Sequence, residues 1–180
     1  HSNKRTDQYG GSELNRMRFA LEVAECVRAA WPDNKPLFMR LSCEDDAGWD
    51  LDQSVRLAAE LKKKGVDVID CSSGGSLERS PMDSVRSKKF GYQVPYAERI
   101  RKIEGVSGVT WANWFGGIYL DRRNFFARFA VDGPSYFDIY PEYQVTDAER
   151  AAFMADRQGA IIGRDLAQRF GWKVGDTIPL

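Results

Sequence analysis

Arg40 is the side chain whose position points most directly to chemistry. It lies inside the apolar run 37–42, in which alternate side chains face opposite ways if the run is a strand. A permanently charged guanidinium is costly in the middle of such a strand unless it is paired. Two interpretations stay open: a structural ion pair with Asp70, Glu44 or Asp45, or a cation held for an anionic ligand.

The other candidate residues argue against several kinds of catalytic and metal chemistry. His1 is the only histidine and stands at the end of the sequence, so Ser-His-Asp, Cys-His and multi-histidine zinc chemistry are almost excluded. Asp67 and Asp70 are three residues apart around a strand, so they face opposite ways and do not form a carboxylate pair. The loop 72–75 could hold a phosphate through its N–H groups, but no helix opens after it, which favours an ordinary turn. We therefore predict no catalytic residues and no metal ligands.

Composition describes an ordinary globular protein without an electrostatic partner. The chain of 180 residues carries 26 basic and 26 acidic side chains, so its formal net charge is zero. This balance argues against capture of nucleic acid or of an anionic membrane, and the short apolar runs predict no membrane insertion. The three cysteines show no Cys-x-x-Cys spacing, which favours free buried thiols and a cytoplasmic location.

The elements around Arg40 follow the pattern of a βαβ unit. A helix is predicted over 13–30, then a strand over 37–42. A second helix, capped by Asp50 or Asp52, ends at Gly65, and the strand 66–71 follows. Such a unit has parallel strands, and ligands of parallel α/β folds bind at the carboxyl ends of the strands. The apolar stripe of the first helix comprises Leu14, Met17, Leu21, Ala24 and Val27.

The second half has a different character. Residues 78–93 are polar and basic, which predicts a protease-sensitive linker, and a short helix is predicted over 96–103. Aromatic residues crowd the sequence beyond Gly105, as a core or as a surface for self-association. Strands are predicted at 109–112, 125–131 and 160–163, and helices at 135–140, 146–156 and 165–170. The predicted fold is therefore α/β: a partial (βα) barrel-like segment with parallel strands, then a small aromatic-rich α+β segment.

The first half resembles the old yellow enzyme family of FMN-dependent ene-reductases. The segments that carry the resemblance are 3–12, 15–19, 36–42, 48–50, 65–67, 70–75 and 91–95. The resemblance implies a (β/α)₈ barrel that binds FMN, takes hydride from NAD(P)H and reduces activated alkenes. It also implies that Arg40 reaches the pyrimidine edge of the flavin, where a fixed cation stabilises the reduced form.

Two parts of the family pattern have no counterpart in this sequence. One is the histidine-bearing strand that holds the substrate carbonyl, which in the family precedes the region matching Asn3. The other is the Gly-Arg loop that holds the FMN phosphate, which would follow Gly105. We therefore expect the chain to retain no cofactor, with FMN as the cofactor if the flavoenzyme interpretation holds.

From residue 96 onward, the sequence resembles the extracytoplasmic core domain of ABC-transporter permeases of the lipoprotein-export or macrolide-export type. The segments are 96–100, 112–119, 124–127, 140–143, 159–164 and 170–176. The predicted domains are thus 1–95 and 96–180, and the predicted function is a composite protein without native catalytic activity. The alternatives are a segment of an FMN-binding, NAD(P)H-dependent oxidoreductase, or an extracytoplasmic partner-binding domain.

Overall fold

The structure is a computed structural model that describes residues 3–45, 48–74, 91–114 and 116–180. The chain divides into two compact units, His1–Ser107 and Gly108–Leu180. The boundary predicted between residues 95 and 96 separates two segments that resemble different families, and it stays a prediction. The predicted linker 78–93 lies almost wholly outside the described residues.

The first helix, α1, spans Glu13–Ala30, as the sequence predicts. Ser12 caps it by accepting a hydrogen bond from the Asn15 N–H at 3.2 Å. The buried stripe is narrower than predicted, since Met17 and Ala24 are buried while Leu14 and Val27 are exposed.

A parallel βαβ unit follows. Strand β1 spans Phe38–Ser42, helix α2 spans Leu51–Lys63 and strand β2 spans Val68–Ser72. Asp50, one of the two predicted caps, begins α2 in a reciprocal capping box with Gln53. Gly65 follows α2 with φ +80°, a conformation that strongly favours glycine. The strands pair in parallel, with Arg40 opposite Asp70, so the predicted α/β unit with parallel strands is confirmed.

The core of this unit lies on one face of the two strands. All the buried hydrophobic side chains of the described residues belong to this unit: Met17, Ala24, Leu41, Cys43, Leu57, Ala58, Leu61, Val66, Tyr96 and Ile100. Tyr96 and Ile100 come from α3, which spans Val94–Ile100. Along β1, Met39 and Leu41 face this core while Phe38 and Arg40 are exposed. The predicted alternation of β1 is therefore confirmed.

The second unit contains short elements. Strands β3, Ala112–Trp114, and β4, Phe129–Val131, pair antiparallel. The helices of its described residues are α4, Gly133–Ile139, α5, Asp147–Ala155, and α6, Arg164–Phe170. The strand predicted at 160–163 is wrong: these residues have no strand partner within the described ranges, and an isolated apolar run forms no ladder.

Ring contacts take the place of an aliphatic core in this second unit. Tyr119, Phe126, Phe170 and Trp172 form one aromatic cluster, with ring centroids 4.7–5.8 Å apart. A second cluster comprises Tyr136, Phe137, Tyr140, Tyr143 and Phe153. None of the helices that the structure describes is long and apolar enough to cross a membrane.

Candidate functional site

The candidate site lies on the face of β1 and β2 that the helices leave open. Phe38 and Arg40 project from β1 on this face, and Asp70 projects from β2 beside Arg40. Half of the Phe38 surface is exposed, at 50%. Strands of parallel sheets are usually covered on both faces, so an apolar and a charged side chain on an open face mark it as a place for a ligand or for further protein.

Arg40 is held in place by weak, exposed contacts. Its Nε donates a hydrogen bond to Ser72 Oγ at 3.2 Å, and it lies 3.6 Å from Asp70 Oδ2. The side chains of Arg40 and Asp70 are 72% and 59% exposed. Of the three predicted carboxylate partners, Asp70 is therefore the one it meets, in a pair that water screens strongly.

The other two carboxylates are engaged elsewhere. Glu44 accepts a hydrogen bond from the Tyr96 hydroxyl at 2.8 Å, and Asp45 contacts the Trp49 N–H at 3.5 Å. Within the described residues, no hydrogen bond is donated by the terminal nitrogens Nη1 and Nη2 of Arg40. With 72% of its side chain exposed, the guanidinium is accessible from the open face.

In the loop after β2, the backbone N–H of Gly74 is engaged within the protein. The Gly74 N–H donates to the Glu44 carbonyl at 3.0 Å, and the Gly74 carbonyl accepts from Ser42 Oγ at 2.7 Å. A backbone N–H that is bonded to a neighbouring loop is not available to a ligand phosphate. Gly75, the last residue of the predicted loop, lies outside the described residues.

The structure brings together a second set of polar side chains at this edge, which the sequence did not predict. Ser73 Oγ lies 3.1 Å from the Tyr92 hydroxyl and accepts from Gln93 Nε2 at 3.1 Å. Nearby, burial and then the hydrogen bond to Glu44 raise the pKa of Tyr96, so its phenol stays protonated. Tyr96 and Glu44 are 52 residues apart, and no local sequence signal connects them.

The residues present fit the pyrimidine edge of a flavin. That edge carries hydrogen-bond acceptors and gains negative charge on reduction, which a guanidinium with open terminal donors stabilises. Phe38, two positions before Arg40 on the same face, adds an apolar ring surface. No three His, Cys, Asp or Glu side chains gather as a metal site in the part of the chain that the structure describes.

Comparisons with known proteins assign the chain to a family. The profile of the NADH:flavin oxidoreductase / NADH oxidase family matches residues 1–113, which is more than half of the chain. The parallel α/β unit lies within this matched region and is therefore a flavin oxidoreductase-like segment. The chain belongs to the NADH:flavin oxidoreductase / NADH oxidase family.

Relatives of this family match the same region. The chain is 45% identical over 103 residues to an NADPH dehydrogenase of Bacillus velezensis, covering 56% of this chain and 28% of that protein. The NADPH dehydrogenase of Bacillus subtilis is 44% identical over 103 residues, with the same coverage. An NADH:flavin oxidoreductase of Gibberella zeae is 38% identical over 131 residues, covering 65% of this chain and 30% of that protein. The chain spans less than a third of the length of these curated relatives.

The predicted resemblance to flavin-dependent reductases is confirmed, and the family match runs past residue 95 to residue 113. The comparisons support the flavin oxidoreductase alternative better than a composite protein without activity.

Proposed function

We propose that this chain is part of an FMN-dependent, NAD(P)H-linked oxidoreductase, and that Arg40 binds the pyrimidine edge of the flavin. The single observation that carries the proposal is the exposure of Arg40, at 72% of its side chain, on the uncovered face of a parallel βαβ unit. Bound FMN would supply hydride transfer. The part of this chain is to fix a cation where charge develops on the flavin.

The neighbours of Arg40 give this role a definite geometry. Ser72 Oγ accepts a hydrogen bond from Arg40 Nε and donates one to the Leu41 carbonyl at 3.2 Å. These two bonds fix the Nε end of the guanidinium to the sheet. A guanidinium anchored at Nε presents its two terminal nitrogens as a planar fork, which suits a pair of acceptors on a ring edge. Asp70 competes for the same cation from 3.6 Å.

Titration of flavin fluorescence with the full chain tests the assignment. The protein and FMN are titrated into the millimolar range. The parent protein is compared with Arg40→Gln and with Arg101→Gln, an exposed control on another surface. We expect saturable quenching that Arg40→Gln weakens about tenfold, the value of one charge-assisted hydrogen bond. Arg101→Gln leaves it unchanged.

Asp70→Asn gives a change of opposite sign. Removing the competing carboxylate frees Arg40 for the flavin, so we expect binding to become tighter by a few-fold. Equal binding by the parent, Arg40→Gln and Asp70→Asn proteins contradicts the assignment, and so does quenching that never saturates.

We propose a separate binding role for the second unit, where resemblance to a permease extracytoplasmic domain and a composite origin remain predictions. An open depression lies there: Trp114, Ile118 and Phe125 line it, together with Arg122 and Arg128. The three apolar side chains are more than half exposed, so self-association through them is the simplest outcome. Analytical sedimentation tests this by comparing the oligomeric state of the parent protein with that of the double variant Trp114→Ser/Phe125→Ser. A parent protein that stays monomeric at high concentration refutes self-association.

A further inference from the structure

Two of the three cysteines meet at the carboxyl end of β1, although they are 28 positions apart in the sequence. Leu41 is the register partner of Cys71, and Cys43 lies two residues beyond Leu41 on the same face. The Cys43 N–H donates to the Ser72 carbonyl at 2.8 Å, which carries the contact of the two strands one step past the end of β1. Both thiols therefore stand on the helix-covered face as diagonal neighbours.

The two thiols differ in access. Cys43 has no exposed surface, whereas Cys71 is partly exposed.

We propose that Cys43 and Cys71 form an oxidisable thiol pair, which hydrogen peroxide converts into an intramolecular disulfide. Peroxide reaches the partly exposed Cys71: its sulfur bonds one peroxide oxygen, the O–O bond breaks, and the Cys71 proton leaves with the other oxygen as water. The sulfur of Cys43 then attacks that of Cys71. The S–S bond forms, the S–O bond breaks, and a second water carries away the remaining proton.

The backbone around Cys43 allows this closure. Cys43 stands just after the last residue of β1, where its N–H bonds the Ser72 carbonyl and its own carbonyl accepts from Ser54, so closure moves the end of the strand together with the side chain. A disulfide needs the two Cβ atoms to approach to about 4 Å, a shift that the end of a strand absorbs more easily than its middle. The proposal does not depend on flavin binding.

Peptide mapping of the full chain tests the pair, with Cys26 as an internal control because it is exposed and has no cysteine neighbour. Folded protein is treated with hydrogen peroxide, denatured, alkylated with iodoacetamide and digested with trypsin. The cysteines fall on separate tryptic peptides, residues 19–28, 41–56 and 65–79. We expect a cross-link between 41–56 and 65–79 that dithiothreitol reverses, and an alkylated 19–28 peptide.

Two variants and one denatured sample make the result decisive. Cys26→Ser should keep the cross-link in full, and Cys71→Ala should abolish it. Protein oxidised in guanidinium should instead give pairs that include Cys26, because the fold no longer selects the partner. Full alkylation of Cys43 and Cys71 after peroxide treatment of the folded protein overturns the proposal, and so does a dominant cross-link to Cys26.

Discussion

Ser54 joins a buried carbonyl to a half-buried indole N–H, and neither group has another described hydrogen-bond partner. Its side chain has no exposed surface. Its hydroxyl accepts from Trp49 Nε1 at 2.7 Å and donates to the Cys43 carbonyl at 2.8 Å. Ser54→Ala therefore removes both hydrogen bonds at once and deletes only one non-hydrogen atom.

The magnitude follows from what the substitution leaves behind. A buried donor or acceptor without a partner costs about 1–3 kcal/mol. The Cys43 carbonyl is in the core, whereas the Trp49 ring is only half-buried and its N–H can recruit water, so the sum is about 2–4 kcal/mol. Alanine returns about 0.5 kcal/mol through its higher helix propensity at this position of α2. We expect a net loss of about 1.5–3.5 kcal/mol in the free energy of unfolding.

Urea denaturation followed by far-ultraviolet circular dichroism measures the loss, provided that the slope with urea is unchanged. Ser107→Ala is the matched control: Ser107 is exposed, so its effect should stay within about 0.5 kcal/mol. Trp49→Phe keeps the bond from Ser54 to Cys43 and should cost less than Ser54→Ala. A loss below about 1 kcal/mol for Ser54→Ala refutes the reasoning, since it would mean that water satisfies both groups.

Three further predictions concern other parts of the first unit. Leu61→Ala should cost about 2–5 kcal/mol in urea denaturation, because Leu61 has no exposed surface and the change leaves a cavity; a cost under 1 kcal/mol, about the value of one CH₂ group, argues against the packing. Arg40→Leu should change stability by no more than about 1 kcal/mol, since its pair with Asp70 is exposed; a loss above about 3 kcal/mol would reveal a buried partner. The raised pKa of Tyr96 stabilises the fold fully below the unfolded tyrosine pKa of about 10, and this contribution falls as pH rises above that value. Tyr96→Phe should therefore flatten the alkaline decline of the unfolding free energy; an identical pH profile contradicts the pKa shift.

Local signals located the elements of the first unit well. Ser12 and the Trp31-Pro32 pair bracket α1, and Asp50 and Gly65 bracket α2. These signals work because caps and breakers act within a few residues along the chain. The short strands of the second unit were placed less well, since a strand exists only where a partner strand pairs with it.

The candidate arginine was also identified from the sequence, but its partner was not. Three carboxylates were within range of Arg40 as the sequence reads, and only the parallel register selected Asp70. Register depends on which side chains of two distant segments share the buried face, and this is decided by packing rather than by local pattern.

The sequence by itself determined the family of the first part of the chain, the α/β order of its elements and the position of a charged residue in an apolar strand. The tertiary structure alone decided that this charge faces outward beside Ser72, that Tyr96 bonds Glu44 and that Cys43 and Cys71 are diagonal neighbours on one face of the sheet. Helix caps and apolar alternation act between near neighbours, so a sequence displays them directly. Contacts across 30 to 50 positions exist only once α1, α2 and α3 have packed on one face of the sheet, because that packing fixes which strand ends lie side by side.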